Sequence, residues 1–337
     1  MTSKEWSRQR VTIKDIAREA GVDPSTVTRA LQGSPRVKTS TREDIERIAL
    51  RLGYVPSAIG RSLVKRRSQL IGLVIPDMTN PFFAPLARGI EDEAARHSLR
   101  VLIRNTEGKP AAERDAINVF SELAVDGLIV PAARCPQSYY DALPLATPII
   151  HINREDAAHQ VSCDSVSGSA KIMAHLFALK HRRVAFVAGP AGPAREPKIF
   201  AYRQAMQNAQ LPIRDEDLFS FDETLASVEH IADTLAANPQ RPTAVFAWND
   251  VCAIALIHAL HKRGIEVPQQ MSIAGHDDIE MAAIIQPPLT TVRWPMYELG
   301  LEAVRYVLRL HTKESPVSPI IPAPTLMVRE STAPPPG

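Results

Sequence analysis

The chain has 337 residues, 39 Lys and Arg against 37 Asp and Glu, 45% apolar residues and three cysteines. This is an ordinary soluble composition, long enough for a small domain and two larger ones at ~100–200 residues each. No apolar run approaches a membrane span, and the opening MTSKEWSRQR lacks the apolar run of a signal peptide, so an exported solute-binding protein is excluded and a cytoplasmic one expected.

Thr12 to Leu31 reads as two short helices joined by a tight turn. Ile13, Ile16, Ala17 and Ala20 recur at i, i+3, i+4 and i+7, giving the first helix one apolar face. Gly21 suits a left-handed C-terminus, while Asp23 and Pro24 supply an N-cap acceptor and a pre-set first-turn residue for the next helix. There Val27 and Leu31 face inward. Ser25, Thr26, Thr28 and Arg29 face outward, a set of small hydroxyls and one guanidinium suited to base edges in a major groove. Helix-turn-helix spacing alone leaves an ordinary helical pair as the alternative. A third helix is predicted from Ser40 to Leu52, with Ser40 and Glu43 spaced as a capping box and Ile45, Ile48, Ala49 and Leu52 on one face before Gly53. Charge separates this head from the remainder: residues 1–69 carry a net +8 and residues 70–337 a net −6, as expected if only the head meets phosphates.

Between Ser57 and Arg67, Ala58, Ile59, Ser62 and Leu63 can form a turn and a half of helix. Gly60 costs about 1 kcal/mol relative to Ala, and the segment is shorter than the ~12 residues an isolated helix needs. It is expected to fold only when a partner rewards folding, a plain basic linker being the alternative.

From about residue 70 onward, continuous apolar runs alternate with helical patterns. Leu70 to Ile75, Gly127 to Val130, Ile149 to Ile152, Val184 to Val187 and Ala244 to Ala247 read as buried parallel strands of a βα repeat. Ligands in such sheets sit beyond the carboxyl ends of strands. Cys135, Cys163 and Cys252 are isolated and fit free core thiols better than bridges or zinc. His258 and His261 fit a solvated helix face better than a metal site. Gly189-Pro-Ala-Gly192 lacks the glycines of a nucleotide loop and is expected to be a loop after a strand. No GxSxG elbow occurs, and His276-Asp277-Asp278 is the best acid/base-looking cluster. No catalytic residue, metal or cofactor is assigned.

The chain resembles the lactose/galactose repressor (LacI/GalR) family of bacterial transcriptional regulators over nearly its whole length. The resemblance is carried by Val11-Thr-Ile-Lys-Asp-Ile-Ala-Arg-Glu-Ala-Gly-Val, Ser25-Thr-Val-Thr-Arg-Ala-Leu, Leu52-Gly-Tyr-Val-Pro, Ala58-Ile-Gly-Arg-Ser-Leu63 and Ile71-Gly-Leu-Val-Ile-Pro-Asp. Asp126-Gly-Leu-Ile, Gly264-Ile-Glu-Val-Pro, Gly275-His-Asp-Asp, Pro288-Leu-Thr-Thr-Val and Arg329-Glu-Ser-Thr follow in order.

The fold so implied is an α/β core of two periplasmic-binding-protein-like lobes with parallel sheets behind an all-α helix-turn-helix domain. Its expected parts are a headpiece over 11–56, a hinge over 57–69, a first lobe over 70–163 plus 294–325 and a second over 164–291 plus 326–332. Tails cover 1–10 and 333–337. Three crossovers are placed near Cys163, Thr291 to Trp294 and Thr325 to Val328.

The function so implied is a sequence-specific DNA-binding regulator, a repressor, controlled by a small-molecule effector held between the lobes. A pseudo-palindromic double-stranded operator would be contacted by Thr12, Ser25, Thr26, Thr28, Arg29, Ala58 and Leu63, the last as an apolar wedge in the minor groove. A sugar, sugar acid or related metabolite would be held by Phe82, Phe83, Asn153, Arg154, Lys198, Asn249 and Asp277. Phe82 and Phe83 read equally well as core. Lys198 departs from the family's usual Arg, the alternatives being that its flexible point charge stands in for the fork or that Arg195, three residues earlier, takes the role. His276 stands where Phe or Tyr is commoner, and is expected to titrate near neutrality and favour an anion. The alternative from another class is a cytoplasmic solute-binding or enzymatic α/β protein whose helical head does not bind DNA.

Tetrameric members of the family end in a leucine-heptad helix, whereas Pro334-Pro-Pro cannot continue a helix. A homodimer is therefore expected. Light scattering at micromolar concentration should return a two-chain mass, and a four-chain mass would contradict it.

Overall fold

The computed structural model describes residues 11–54, 67–144, 147–154, 156–192, 195–312 and 321–336. Contacts divide the chain into two compact units, Met1–Ser68 and Gln69–Gly337.

In the first unit, α1 (Ile13–Ala20), α2 (Pro24–Leu31) and α3 (Thr39–Leu52) close a small core around Ile16, Ala17, Val27, Ala30, Val37, Ile45, Ile48 and Ala49. Gly21 ends α1 at φ 65°, the left-handed conformation that glycine adopts without steric cost. The Asp23 carboxylate accepts from the Ser25 amide at 2.8 Å and Pro24 opens α2, as its sequence predicts. The expected capping box on α3 does not form. That helix starts at Thr39 with Lys38 as its N-cap and no side-chain cap, so Ser40 lies inside the first turn. A side-chain contact of this kind occurs instead on α1, where the amide and hydroxyl of Thr12 both donate to Asp15, at 2.9 and 2.7 Å.

The second unit holds two parallel sheets and one antiparallel strand pair among its described residues. The first sheet contains β1 (Leu70–Ile75), β2 (Arg100–Asn105), β3 (Gly127–Pro131), β4 (Ile149–Ile152) and β5 (Gln160–Val161), in the order β2-β1-β3-β4-β5. Its helices are α4 (Phe83–Arg96), α5 (Pro110–Glu122) and the short α6 (Gln137–Asp141). The second sheet has the order β7-β6-β8-β9, from β6 (Val184–Ala188), β7 (Leu218–Ser220), β8 (Ala244–Phe246) and β9 (Ser272–Ala274). Around it run α7 (Ser165–Ala178), α8 (Arg195–Asn208), α9 (Leu225–Ala237) and α10 (Asp250–His261). The five predicted apolar strands are all present because both faces of each sheet are covered. β1, β3 and β6 are buried almost throughout.

The chain returns to both lobes at its end. After β10 (Thr291–Arg293), α11 (Met296–Thr312) packs on α4 of the first sheet, and β11 (Thr325–Met327) pairs antiparallel with β10. Residues 329–333 then lie on the second sheet, where the Ile273 amide donates to Ser331 O at 2.8 Å and Ala333 O faces His181 Nε2 at 2.9 Å. One apolar core runs continuously through both lobes, from Ile71 and Leu73 to Phe186 and Phe246.

The α4–α11 contact is unusually close. A Cβ added to Gly89 would collide with the Tyr297 carbonyl, and one added to Gly300 with the Leu86 carbonyl. Both obstacles are helix backbone, which does not yield as a side chain does. Gly89→Ala should therefore destabilise the core by about 1–3 kcal/mol, the range for overpacking. Urea denaturation should show a lower midpoint with an unchanged m-value, and an unchanged midpoint would show that the helices separate freely.

Candidate functional site

The order of each parallel sheet reverses once, between β1 and β3 in the first and between β6 and β8 in the second. Loops leaving adjacent strands at such a point diverge and open a crevice at the strand carboxyl ends. The loops after β1, β3, β4, β6, β7, β8 and β9 all contribute to a single cleft. All seven residues expected to hold an effector line it: Phe82, Phe83, Asn153, Arg154, Lys198, Asn249 and Asp277.

Local hydrogen bonds set what each residue presents. Asp77 accepts from the Thr79 amide at 2.8 Å and Asn80 from the Phe82 amide at 3.0 Å, shaping the turn into α4. Phe83 is buried in the core and Phe82 is partly exposed beside it, edge to face at 5.3 Å, so core and cleft roles coexist. Asn153 Oδ1 accepts from the Cys163 amide at 3.0 Å, and Asn249 Oδ1 caps α10 by accepting from the Cys252 amide at 2.8 Å. With both carbonyl oxygens engaged, each Asn keeps its NH2 donors for the cleft. Lys198 Nζ donates to the Trp248 carbonyl at 2.7 Å and lies 4.0 Å from the centre of the Trp248 ring. Burial lowers its pKa to about 8, against the opposing fields of Asp277 and Asp250.

Arg154 touches the cleft but is largely committed to the protein. It donates to Asp156 at 2.9 Å and to the Cys135 carbonyl at 3.0 Å, over the Tyr140 ring. The His-Asp-Asp cluster separates into three roles. Asp278 is structural, paired with Arg293 at 2.6 Å and Arg329 at 2.5 Å. Asp277 is buried, and that burial pushes its carboxyl well above the usual carboxylate range, with Lys198 pulling the other way. His276 corrects the expectation of a titrating cation. Desolvation, with the Lys198 charge added, holds its pKa well below the ordinary histidine value. Its Nδ1 accepts from Trp294 Nε1 at 3.0 Å, which places the proton on Nε2, a buried atom without a partner among the described residues.

Four lining residues, Ala132, Asn153, Glu223 and Asp277, have positive φ despite bearing a Cβ. Such conformations cost free energy and collect where the surroundings impose them, commonly at binding sites. Beneath the cleft, Asp250 accepts from the Ile279 amide at 2.9 Å and from the Thr291 hydroxyl at 2.5 Å, and burial raises its pKa to about 6.

Arg134, Glu223, Trp248 and Trp294 also line the cleft and were not anticipated. Trp248, directly before Asn249 at the end of β8, was the most accessible to sequence reasoning, since strand carboxyl ends are where ligands sit. Arg195 lies outside the cleft, in a groove shared with Ser220 and Asp222, so Lys198 occupies the cleft position. Gly189 to Gly192 form a loop after β6, as expected. His258 and His261 lie exposed on α10, and the three thiols are free, with pKa values pushed up to about 12 by burial.

In the first unit, Ser25 and Arg29 are exposed on α2, with Thr26 and Thr28 partly exposed. The Thr28 hydroxyl is turned back to the Pro24 carbonyl at 3.0 Å, and that of Thr12 is held by Asp15. Arg29 makes no side-chain hydrogen bond or ion pair among the described residues, so its five donors face water. Ala58 and Leu63 lie outside the described residues.

Residues 12–57 match the family of bacterial regulatory proteins, lacI family, and residues 173–332 match a periplasmic binding protein-like domain. Catabolite control protein A of Priestia megaterium is 32% identical over 331 residues, covering 96% of this chain and 99% of the relative. The HTH-type transcriptional regulator DegA of Bacillus subtilis (strain 168) is 34% identical over 334 residues, covering 96% and 99%. In structure, the Lac repressor dimer bound to operator and the anti-inducer ONPF superposes with a TM-score of 0.85 at 23% identity, over 96% of this chain and 100% of that one, a likeness of fold. The transcriptional regulator CelR in complex with cellobiose gives 0.71 at 25% identity, over 96% and 100%. A LacI family transcriptional regulator from Lactobacillus casei with bound sucrose gives 0.70 at 26%, over 78% and 99%. These relatives are transcriptional regulators rather than enzymes, which sets aside the solute-binding or enzymatic alternative. The helix-turn-helix head, the two-lobed core and full-length identity above 30% together make this chain a member of the LacI family of DNA-binding transcriptional regulators.

Proposed function

We propose that the protein is a cytoplasmic, homodimeric repressor whose operator affinity is set by an oxygen-rich metabolite bound in the cleft between its lobes. The observation carrying this is the balance of free hydrogen-bonding groups. The amides of Asn153 and Asn249, the ammonium of Lys198 and Nε2 of His276 offer donors, and Asp277 alone among the expected contacts offers a free carboxyl. Phe82, Trp248 and Trp294 add flat apolar surfaces. A ligand with several hydroxyls and an acid group satisfies more of this set than a neutral apolar one. The cellobiose and sucrose complexes of two structural relatives support a sugar or sugar acid.

The division of labour we infer is a DNA-reading headpiece over 11–56, a hinge over 57–69, a first lobe over 70–163 plus 294–325 and a second over 164–291 plus 326–332. Two headpieces of a dimer would read the half-sites of a pseudo-palindrome. Phosphate contacts would supply affinity, and Thr12, Ser25, Thr26, Thr28, Arg29, Ala58 and Leu63 would set register and selectivity. Operator and effector must then alter each other's affinity by the same factor.

Arg29→Ala should cost about 1–3 kcal/mol and relax preference at one base pair per half-site, as loss of a base-reading arginine does. Leu63→Ala should reduce operator bending. Gel-shift titration on a selected operator measures both, and two variants indistinguishable from the parent chain would exclude this docking.

For the cleft, calorimetric or thermal-shift screening of sugars, sugar acids and aromatic acids should give a hydroxyl-bearing acid as ligand. Lys198→Ala and Asp277→Ala should each weaken it by about tenfold or more, the worth of a charge-assisted hydrogen bond. Because the Lys198 pKa lies at about 8, its charge is present below that pH and lost above it, so its charge-assisted hydrogen bond to the ligand, and the affinity that depends on it, should fall between pH 7 and 9. Lys198→Arg, which stays protonated, should flatten that fall. A tight neutral ligand indifferent to both alanine variants would overturn the assignment.

A further inference from the structure

The acid group of such a ligand finds no uncommitted counter-charge deep in the cleft. His276 is neutral there, Arg154 is bound to Asp156, and the Lys198 ammonium already has the Trp248 carbonyl, the Trp248 ring and the field of Asp277. A better match lies at the cleft mouth. Arg134 follows β3 on the first lobe, and its backbone is fixed by Glu113, a buried carboxylate that accepts from the Arg134 and Cys135 amides at 2.8 Å each and from the Tyr140 hydroxyl at 2.5 Å.

From that anchor the Arg134 side chain, only 13% exposed, crosses towards the second lobe. Its guanidinium lies against Gly108 of the first lobe and Gly192 of the second, 3.7 Å from where a Cβ would stand on either. Among the described residues its Nε is buried without a partner, and its one ion pair is with Glu223 Oε2 at a long 3.4 Å. A nearly buried guanidinium with five donors and a single long contact is under-satisfied.

Glu223 is the corresponding weak point on the other lobe. Its side chain is 46% exposed and its backbone sits at φ 68°, in a turn where Asp222 accepts from the Thr224 amide and hydroxyl at 3.0 and 2.6 Å. The other carboxylates of this groove are engaged: Asp222 in that turn, Glu107 with Lys109 at 2.6 Å. Arg195 enters the same groove from α8 and also carries a buried Nε without a partner among the described residues. Two incompletely satisfied guanidiniums thus border one groove, with one half-exposed carboxylate between the lobes.

We propose that the cleft mouth is an oxyanion subsite, in which Arg134, flanked by Arg195, grips the phosphate or carboxylate of the effector, and in which Glu223 is the exchangeable stand-in that the ligand displaces. The proposal rests on the effector-binding role of the cleft and assigns its charged end. The ligand would be elongated, its hydroxylated body among Asn153, Asn249 and Asp277 and its acid group outward. Exchange of an anion for Glu223 leaves Arg134 paired, while the direct tie between the lobes passes to the ligand.

The test is calorimetry on the full chain with inorganic phosphate as the probe, comparing the parent protein, Glu223→Gln, Arg134→Lys and the double variant Glu223→Gln with Arg134→Gln. Removing the competing carboxylate should tighten phosphate binding about fivefold or more, and removing the guanidinium from that background should weaken it by about tenfold or more. Arg134→Lys, which keeps the charge without the fork, should fall between. Thermal melting of each variant establishes that it is folded, and Arg134→Lys carries the test if the double variant is not. If Glu223→Gln binds phosphate no better than the parent chain, or if the arginine variants bind it as well, the subsite is overturned. Titrating glucose against glucuronate separates this from the broader role of the cleft: a sugar response sensitive to Lys198→Ala but blind to Arg134 and Glu223 would leave the cleft and remove only the mouth subsite. A phosphate response that obeys Arg134 and Glu223 would uphold the subsite even where no sugar binds.

Discussion

One buried carboxylate organises the second lobe's half of the cleft. Asp250 opens α10 immediately after Asn249, and its two oxygens take the Ile279 amide and the Thr291 hydroxyl. It therefore ties together a helix N-terminus, the loop that carries His276 and Asp277, and the strand β10 through which the chain passes back to the first lobe. The helix dipole favours an anion at that place, while burial disfavours it and raises the pKa to about 6. The same carboxylate explains the residue before His276: a Cβ on Gly275 would strike it. A structural acid held this way fixes its neighbours while leaving their own polar groups unspent.

That separation between fixed and free groups recurs around the cleft. Asn153 and Asn249 each spend the oxygen of an amide on the backbone and keep the nitrogen. Asp278 neutralises two arginines while the adjacent Asp277 neutralises none. Side chains placed by such bonds lose little further freedom when a ligand arrives, so more of the contact energy survives as affinity.

The helical head was legible because its signals are local: a periodic apolar face, a glycine stop and an Asp-Pro start all lie within about one helix of each other. The buried strands were legible for a similar reason, since two covered faces demand an unbroken apolar run. β2 escaped notice because it is an edge strand with Arg100, Arg104 and Asn105 exposed, so its pattern need not be apolar. The capping box at Ser40 was misplaced because helix boundaries depend on the backbone entering them, which no short motif records. Family resemblance brought Lys198, Asn249 and Asp277 to one cleft, but not Arg134 and Glu223. Those two are 89 residues apart and meet only where one lobe faces the other.

The discontinuity of both lobes bears on how the chain can fold as it is synthesised. The first sheet is complete by Val161, yet α4 waits for α11, whose first residue, Met296, follows the whole second sheet. The second sheet in turn waits for residues 329–333 to reach Ile273, Ser272 and His181. Neither lobe can finish while the other is still being translated, whereas the three-helix head has every core residue within its first 54 positions. Domains of a nascent chain generally fold as units from the N-terminus, so the head is positioned to mature before either lobe. Neither lobe can close until residues 296–333 have been made, and α4 leaves its α11-facing surface uncovered until then.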